Sequence, residues 1–312
     1  LGDMGAEIIK VERPFAGDDT RKWGPPYMEG FDGKPTRESA YYLSCNRNKK
    51  SIAVDITTPE GQEIIHGLIA KSDVLIENFK VGGLEKYGLG YGQIKERYPS
   101  LVYCAISGFG QNGPLAEEPG YDFLAQGMAG MMACTGEADG EPMKVGVALS
   151  DIMSGMNAAI GILAALRHRD ATGGKESGEG QMVDVALTDT TLASLTNIAQ
   201  YYLTSGKLAP RLGNAHSSIV PYQVFEAADG HIIIAVGNDA QFARLAGFLK
   251  QDWANDARFA TNSARVENRE ALVAMIDELI KAKDGAYWIE QFEEINVPCG
   301  PVNTMDQVFE ME

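Results

Sequence analysis

The feature that most constrains the fold is a regular alternation of short β-type and helical segments through the first half of the chain. The β-type segments are AEIIKVE, SIAVDI, DVLIENF, LVYCAIS and MVDVALTD. Strands and helices in turn favour right-handed βαβ units around a mostly parallel sheet. These strand segments are apolar on both faces, as a sheet covered by helices requires. The sequence therefore predicts an α/β fold with a Rossmann-like parallel sheet.

Helical patterns lie between the predicted strands. They cover TPEGQEIIHGLIAKS, GGLEKYGLGYGQIKERYP, residues 119–133, DIMSGMNAAIGILAALRHRD and residues 189–205. In the first of these, Thr58 is a capping residue and Pro59 suits the first helical position. Residues 173–180, GGKESGEG, are predicted to be a flexible turn.

A change of pattern near residues 206–220 indicates a domain boundary. Beyond it, QVFEAADGHIIIAVGN reads as two strands around an Asp-Gly turn, and helices are predicted at 239–250, 268–283 and 285–294. We therefore expect a large domain at 1–205, a linker and active-site loop at 206–220, and a smaller α+β domain at 221–297.

Charge and composition exclude several classes of function. The net charge of −16 argues against nucleic acid or an anionic membrane surface as the main partner. No apolar run reaches the ~18 residues of a spanning helix. The four cysteines and four histidines are scattered without metal-ligand spacing, which predicts reduced thiols, no metal site and a cytoplasmic location.

A dinucleotide-binding fingerprint is absent. GLGYGQ at 88–93 follows no strand and lacks the third glycine, and no phosphate-binding P-loop motif occurs. Side chains offer another way to bind phosphate, because ligands collect at the carboxyl ends of parallel strands. Arg13, Asn78 and Phe79 lie at such ends; Arg47, Lys49, Lys50, Lys80 and Lys86 are further basic candidates. On pattern alone, solvated surface charge explains these residues equally well.

Asp151 lies at the start of a long helix, within GVALSDIMSGM. A lone Asp before a helix is usually a cap. The apolar VGVAL ahead of it indicates partial burial, and Ser154 and Gly155 after it leave room for a substrate. A helix start keeps a carboxylate ionised, and a partly desolvated carboxylate is a competent nucleophile toward an activated acyl group. Both interpretations stay open on these residues.

Several motifs in fixed order resemble the family III CoA transferases, a family that includes a racemase branch. They are GAEIIKVERP, GDDTRKWGPP, YYLSCNRNKKSIAVDI, DVLIENF, SGFGQNGP, GYD, GVALSDIMSGM and VPCGPVN. The resemblance covers essentially the whole chain. NAHSSIVPYQVF is especially similar to succinate–hydroxymethylglutarate (glutarate) CoA-transferases.

The resemblance implies a role for individual residues. Asp151 aligns with the nucleophilic aspartate of the family, which attacks an acyl-CoA to form an aspartyl acyl anhydride and later an aspartyl-CoA thioester. The implied CoA contacts are Arg13, Val54, Asn78, Phe79 and Lys86. Tyr121 and Asp122 match an aromatic–acidic pair beside the active site, and His216, Ser217 and Ser218 replace a glycine-rich covering loop. CoA thioester is then a substrate, and no permanently bound cofactor is expected.

Two alternatives to the transferase remain. The racemase branch has a histidine at the position of Tyr121, and tyrosine, with an ordinary pKa of ~10, is a poor base for an α-proton. His216 is a less favoured alternative base. A catalytically silent CoA-binding protein would share the CoA contacts and differ only in its use of Asp151.

The acceptor acid and the assembly are expectations from the same resemblance. Arg211, Asn214, His216 and Ser217 lie where a small dicarboxylate would need a partner for its distal carboxylate, although Arg211 is equally a surface linker residue. We expect an interlocked homodimer, as in the family. The chain is also expected to lack the family's first strand and its C-terminal segment, with 298–312 beginning the return to the large domain.

Overall fold

The computed structural model describes residues 1–311 and contains two compact units. The first unit combines Leu1–Ala129 with Gly146–Ser194, and the second combines Gly130–Val145 with the chain from Leu195 onward. The short segment at 130–145 thus belongs with the second half of the chain. The domain boundaries expected from the sequence stay a prediction.

The first unit is an α/β structure, as predicted. Its strands are β1 (Ile8–Glu12), β2 (Tyr27–Glu29), β3 (Pro35–Ser39), β4 (Lys49–Ala53), β5 (Val74–Glu77), β6 (Val102–Ser107) and β7 (Met182–Ala186). Its helices are α1 (Ala40–Asn46), α2 (Pro59–Ile69), α3 (Tyr91–Arg97), α4 (Asp122–Met128), α6 (Leu149–Thr172), α7 (Gly174–Ser177) and α8 (Leu187–Ser194), with α5 (Met131–Cys134) in the second unit.

Parallel pairing organises these strands. A three-stranded parallel sheet has the order β5-β6-β7, and β1 pairs in parallel with β4. The central strand β6 is buried at five of its six residues, as the two-sided apolar pattern predicts. By contrast, β4 is exposed at all five residues, because it begins in the polar run at Lys49 and Lys50.

Several local expectations are corrected. The stretch 173–180 is not a plain turn, since it contains the short helix α7. The helix expected at 189–205 is broken at Leu195 into α8 and α9 (Thr196–Ser205). In GGLEKYGLGYGQIKERYP only Glu85–Tyr87 and α3 are helical, because Gly88 adopts a left-handed conformation between them.

The second unit is α+β. Its strands β8 (Tyr222–Ala227), β9 (Gly230–Ala235) and β10 (Cys299–Pro301) form an antiparallel sheet in the order β10-β9-β8. Its later helices are α10 (Asp239–Phe248), α11 (Asn262–Glu267), α12 (Arg269–Ile280), α13 (Gly285–Glu294) and α14 (Met305–Glu310). The predicted hairpin at 222–235 is present, and an apolar core including Phe225, Phe259 and Phe292 lies between this sheet and the helices.

Helix α6 is the longest helix that the structure describes. By length and composition alone it is long and apolar enough to cross a membrane, although it contains no uninterrupted apolar run of ~18 residues. Its residues Ala158, Ile162 and Ala165 are buried in a cluster with Val102 and Val185 of β6 and β7. One face of α6 thus packs against the sheet, whereas Ile152, Met156, Ile160 and Leu163 are exposed.

Candidate active site

The start of α6 lies at the carboxyl edge of the parallel sheet. The chain leaves β6 at Ser107, returns through α4 and α6, and pairs β7 beside β6. Two glycines bring this connection back to the edge: a Cβ on Gly108 would lie 2.5 Å from the Cα of Gly120. Only residues without a side chain allow that approach, which places the following Tyr121 and Asp122 next to the end of β6.

Asp122 caps α6 from a different helix. The N-cap residue of α6, Ala148, has no capping side chain, and the backbone N–H of Ser150 donates instead to Oδ1 of Asp122 at 2.7 Å. The other oxygen of Asp122 accepts from the amide of Gln126 at 2.9 Å. The cap interpretation of Asp151 is therefore wrong, because Asp122 performs that role.

Asp151 is the third residue of α6, and its carboxylate makes no hydrogen bond with any residue in 1–311. Its side chain is accessible to solvent on one side. Burial on the other side raises the pKa of Asp151, and the neighbouring carboxylate of Asp122 raises it further. The site thus holds a partly desolvated carboxylate whose oxygens are free to react.

Tyr41 on α1 is a further candidate site residue, which the sequence interpretation missed. Burial raises the pKa of Tyr41, and the negative charges of Asp151, Cys45 and Asp122 add to the effect, so its hydroxyl lies within the field of both carboxylates. Trp23 packs edge-on against it, with ring centroids 4.9 Å apart. No sequence signal distinguishes Tyr41 from Tyr42, which is a core residue.

Tyr121 immediately precedes α4 as its N-cap residue. Its side chain is 69% exposed, so its ring is available to a ligand beside Asp122.

Three of the proposed CoA contacts follow β5. The amide of Asn78 donates to the carbonyl of Ile106 at 2.6 Å, which ties this segment to the end of β6. Phe79 is half-exposed, and the ammonium group of Lys86 lies over the ring of Tyr87 at 4.9 Å. Asn78 thus lies at the sheet edge beside the end of β6, with Phe79 next to it in the chain, whereas Lys86 lies in the turn Glu85–Tyr87.

The other two proposed CoA contacts, Arg13 and Val54, directly follow β1 and β4. Arg13 is exposed and forms an ion pair with Asp19 at 2.8 Å. It lines an open cavity of about 290 Å³ with Phe15, Arg21 and Arg37. Val54 is only 6% exposed and packs in the core, so little of its surface is available to a ligand.

In the second unit, the segment His216–Ser218 is held by the half-buried Arg269. The guanidinium of Arg269 donates to the carbonyls of His216 (2.8 Å) and Ser217 (3.1 Å). The Nδ1 atom of His216 accepts from the backbone N–H of Ser218 at 3.0 Å. The neutral ring therefore carries its proton on Nε2, where it is available as a hydrogen-bond donor.

Arg211 has a structural task in the same unit. Its guanidinium donates to the carbonyls of Glu137 at 3.1 Å and Gly140 at 2.6 Å, and so holds the turn at 137–140. These bonds occupy guanidinium N–H donors that the sequence interpretation assigned to the distal carboxylate of a substrate. Asn214 is exposed.

Comparison with known proteins identifies the family. The family model described as CoA-transferase family III matches residues 1–312. A succinate–glutarate CoA-transferase of Agrobacterium fabrum is 47% identical over 99% of this chain and 76% of its own. The human succinyl-CoA:glutarate CoA-transferase is 44% identical over 99% of this chain and 68% of its own.

A solved structure agrees. The crystal structure of a CaiB/BaiF family protein from Brucella suis is 49% identical, with a TM-score of 0.85 over 99% of this chain and 80% of that chain. The resemblance inferred from the motifs is confirmed. The chain belongs to CoA-transferase family III and is a CoA-transferase.

Proposed function

We propose that this enzyme exchanges CoA between small dicarboxylic acids, with succinyl-CoA as donor, a glutarate-like acid as acceptor and Asp151 as nucleophile. The observation that supports the proposal is a difference in hydrogen bonding between two neighbouring carboxylates. Asp122 is bonded to Ser150 and Gln126, whereas Asp151 beside it has both oxygens unoccupied.

The chemistry balances through four acyl transfers. An oxygen of Asp151 attacks the thioester carbonyl, the C–S bond breaks, and CoA thiolate leaves an aspartyl succinyl anhydride. The thiolate then attacks the aspartyl carbonyl, releasing succinate and leaving an aspartyl-CoA thioester. The acceptor carboxylate displaces the thiolate to give a second anhydride. Attack by the thiolate on the acceptor acyl carbon forms the new thioester and restores Asp151.

Local electrostatics favour these steps. A carboxylate whose pKa is raised has an ionised form that is less stabilised by its surroundings. It is therefore more nucleophilic toward an acyl carbon. The backbone N–H of Asp151 has no acceptor within residues 1–311, so it is a candidate donor to the tetrahedral oxyanion. Such a donor is worth about 3 kcal/mol in acyl transfer.

CoA binding is proposed for the exposed residues at the strand ends. Phe79 offers an aromatic face to a base, and Arg13 and Lys86 offer charge to phosphates. Asn78 uses its amide to hold the segment, and Val54 contributes from the core, so we expect smaller effects from substituting these two.

The acceptor is proposed to contact His216, Ser217 and Ser218. The Nε2–H of His216 is a suitable donor to a carboxylate, and Ser217 and Ser218 add hydroxyl groups. The choice of glutarate follows the names of two relatives, the enzymes of Agrobacterium fabrum and of human. An interlocked homodimer and a cytoplasmic location are proposed on the family resemblance.

The test is acyl exchange by the full-length protein. Succinyl-CoA and glutarate should yield glutaryl-CoA and succinate, and Asp151→Ala should abolish the exchange. Loss of the α-proton of a branched acyl-CoA to solvent, without exchange, would instead support the racemase alternative. Binding of CoA with neither reaction would support a silent CoA-binding protein.

A further inference from the structure

A row of paired hydroxyl groups joins α6 to α8 behind Asp151. The hydroxyl oxygens of Ser150 and Thr191 are 2.7 Å apart, and those of Ser154 and Thr190, one turn further along α6, are also 2.7 Å apart. Ser150 and Thr191 have no exposed surface, and Ser154 is 1% exposed. Hydroxyl groups buried in this way have no water to bond, so the two serines depend on the threonines, which also bond to backbone carbonyls.

The first of these pairs is connected to the reacting carboxylate. The hydroxyl of Thr191 is anchored to the carbonyl of Leu187 at 2.6 Å, which fixes it relative to α8. Ser150, its partner, directly precedes Asp151, and the backbone N–H of the same Ser150 donates to Asp122. Thr191 therefore contacts the residue that joins the two aspartates, because Ser150 is hydrogen-bonded to Asp122 and is the chain neighbour of Asp151.

We propose that Thr191 and Ser150 form a hydroxyl clamp that fixes the start of α6 and positions Asp151 beside Asp122. Thr191 is a positioning residue, because it acts through Ser150 and touches neither substrate nor the reacting atoms. The proposal rests on the assignment of Asp151 as nucleophile. A displacement of about 1 Å in such a group costs on the order of 100-fold in rate.

The second pair provides a matched control. Ser154 and Thr190 share the chemistry, the distance and the two helices of the clamp, but they have no bond to the Asp122 cap. Thr190 is half-buried whereas Thr191 is fully buried, so the two substitutions can differ in their cost to stability. If the hydroxyl groups serve only to pack α6 against α8, substitution of either threonine should lower Tm without changing the catalytic rate of the folded enzyme. If the clamp positions Asp151, only substitution of Thr191 should change catalysis.

The charges around Asp151 provide a second measurement, the dependence of the catalytic rate on pH. The titratable groups that interact with it are Asp122 on α4 and Tyr41 on α1. The α8 residue Asp189 is exposed, and Asp184 on β7 accepts from the backbone of Gln111. Both burial and the charge of Asp122 raise the pKa of Asp151 in the fixed arrangement. Loosening the clamp weakens both effects, because the helix start is then less firmly packed, so we expect the acid limb of the rate to move to lower pH.

The experiment compares Thr191→Val, Thr191→Ser, Thr190→Val and Asp151→Ala in the full-length protein. The rate of CoA release from succinyl-CoA, KM, the pH profile and Tm are measured for each. We expect Thr191→Val to slow release tenfold or more with an unchanged KM and an acid limb at lower pH. Thr191→Ser should restore both, and Thr190→Val should keep the wild-type rate.

Equal rates in Thr191→Val and wild type, or equal losses in Thr191→Val and Thr190→Val, would overturn the clamp. The Asp151→Ala variant tests the proposed function separately from the clamp. If that variant still exchanges acyl groups, Asp151 is not the nucleophile, whatever the threonine variants show.

Discussion

The carboxylate of Asp122 caps the helix that carries Asp151, through a 2.7 Å hydrogen bond from the backbone of Ser150. The two side chains thereby take different roles although both are aspartates at one helix start. Burial raises the pKa of the unbonded carboxylate, and the charge of the bonded one raises it further.

Asp122→Asn should move the acid limb of kcat/KM to lower pH. Asparagine keeps an oxygen for the Ser150 N–H but removes the negative charge, so the pKa of Asp151 falls toward the ordinary value of ~3.9. The measurement is kcat/KM for succinyl-CoA against pH. An acid limb that stays in place would show that Asp122 does not act on Asp151 through its charge.

Asp151→Asn should stabilise the fold at neutral pH while abolishing activity. Since the pKa of Asp151 is raised on folding, the folded state binds more protons between the unfolded and folded pKa values, and wild-type stability falls as pH rises through that window. The gain in Tm should therefore be present at pH 7 and vanish below the ordinary aspartate pKa of ~3.9. Thermal unfolding at both pH values checks this. A gain of equal size at the two values would be inconsistent with a charge effect.

Arg21→Ala should destabilise the first unit by about 2–3 kcal/mol, slightly less than a fully buried pair because Arg21 is one-fifth exposed. Arg21 donates to the buried Glu12 at 2.8 Å and lies over the ring of Tyr42. The hydrogen bonds from Arg21, Ser51 and the backbone of Asp18 lower the pKa of Glu12. Its stabilisation is therefore present above the unfolded glutamate pKa of ~4.3 and is lost as pH falls through the folded value.

Urea unfolding between pH 3 and 7 tests the Arg21 prediction. Arg47→Ala removes an exposed ion pair with Asp3 and serves as the control, with nearly unchanged stability. Similar losses in the two variants would argue against the buried pair as the source of stability.

Arg269→Met should raise KM for the acceptor acid about tenfold, the cost of ~1.4 kcal/mol in binding. It removes both hydrogen bonds that hold the carbonyls of His216 and Ser217. CoA release from succinyl-CoA without acceptor should stay at the wild-type rate. Arg244→Met is the control, because Arg244 likewise donates to two carbonyls, those of Ile295 and Asn296. If both variants raise KM alike, the effect is general to the unit.

Cys45 should react with iodoacetamide well before Cys104 and Cys299. Cys45 is exposed on α1, whereas burial raises the pKa of both other thiols to about 11. At pH 7.5 few molecules hold those thiols as the reactive thiolate. Peptide mass spectrometry after timed labelling measures the order. Labelling of Cys104 at the rate of Cys45 would show that the β6 region opens readily.

Local patterns account for what could be predicted from the sequence. The spacing of apolar residues within one segment indicates whether that segment is a strand or a helix. This is why the sequence predicts the strands β5, β6 and β7 and the helix α6. The β2–β3 hairpin was missed, although Asp32-Gly33 is a turn signal and Gly33 adopts a positive φ of 73°.

The features that the sequence did not predict depend on contacts between segments that are distant in the chain. The cap of α6 comes from Asp122, 28 residues before Ser150, so the residue before the helix gives no indication of it. Tyr41 reaches the field of Asp151 from α1, more than a hundred positions earlier in the chain. Likewise, the bonds of Arg211 to the turn at 137–140 depend on how the second unit folds.

The most direct test of the central claim is chemical capture of the acylated enzyme. The full-length protein is incubated with succinyl-CoA and then with hydroxylamine, which converts an aspartyl anhydride or thioester to a stable hydroxamate. Peptide mass spectrometry should find the hydroxamate on Asp151 in the wild type and at no site in Asp151→Ala. An unmodified Asp151 in an enzyme that still exchanges acyl groups would contradict the covalent mechanism.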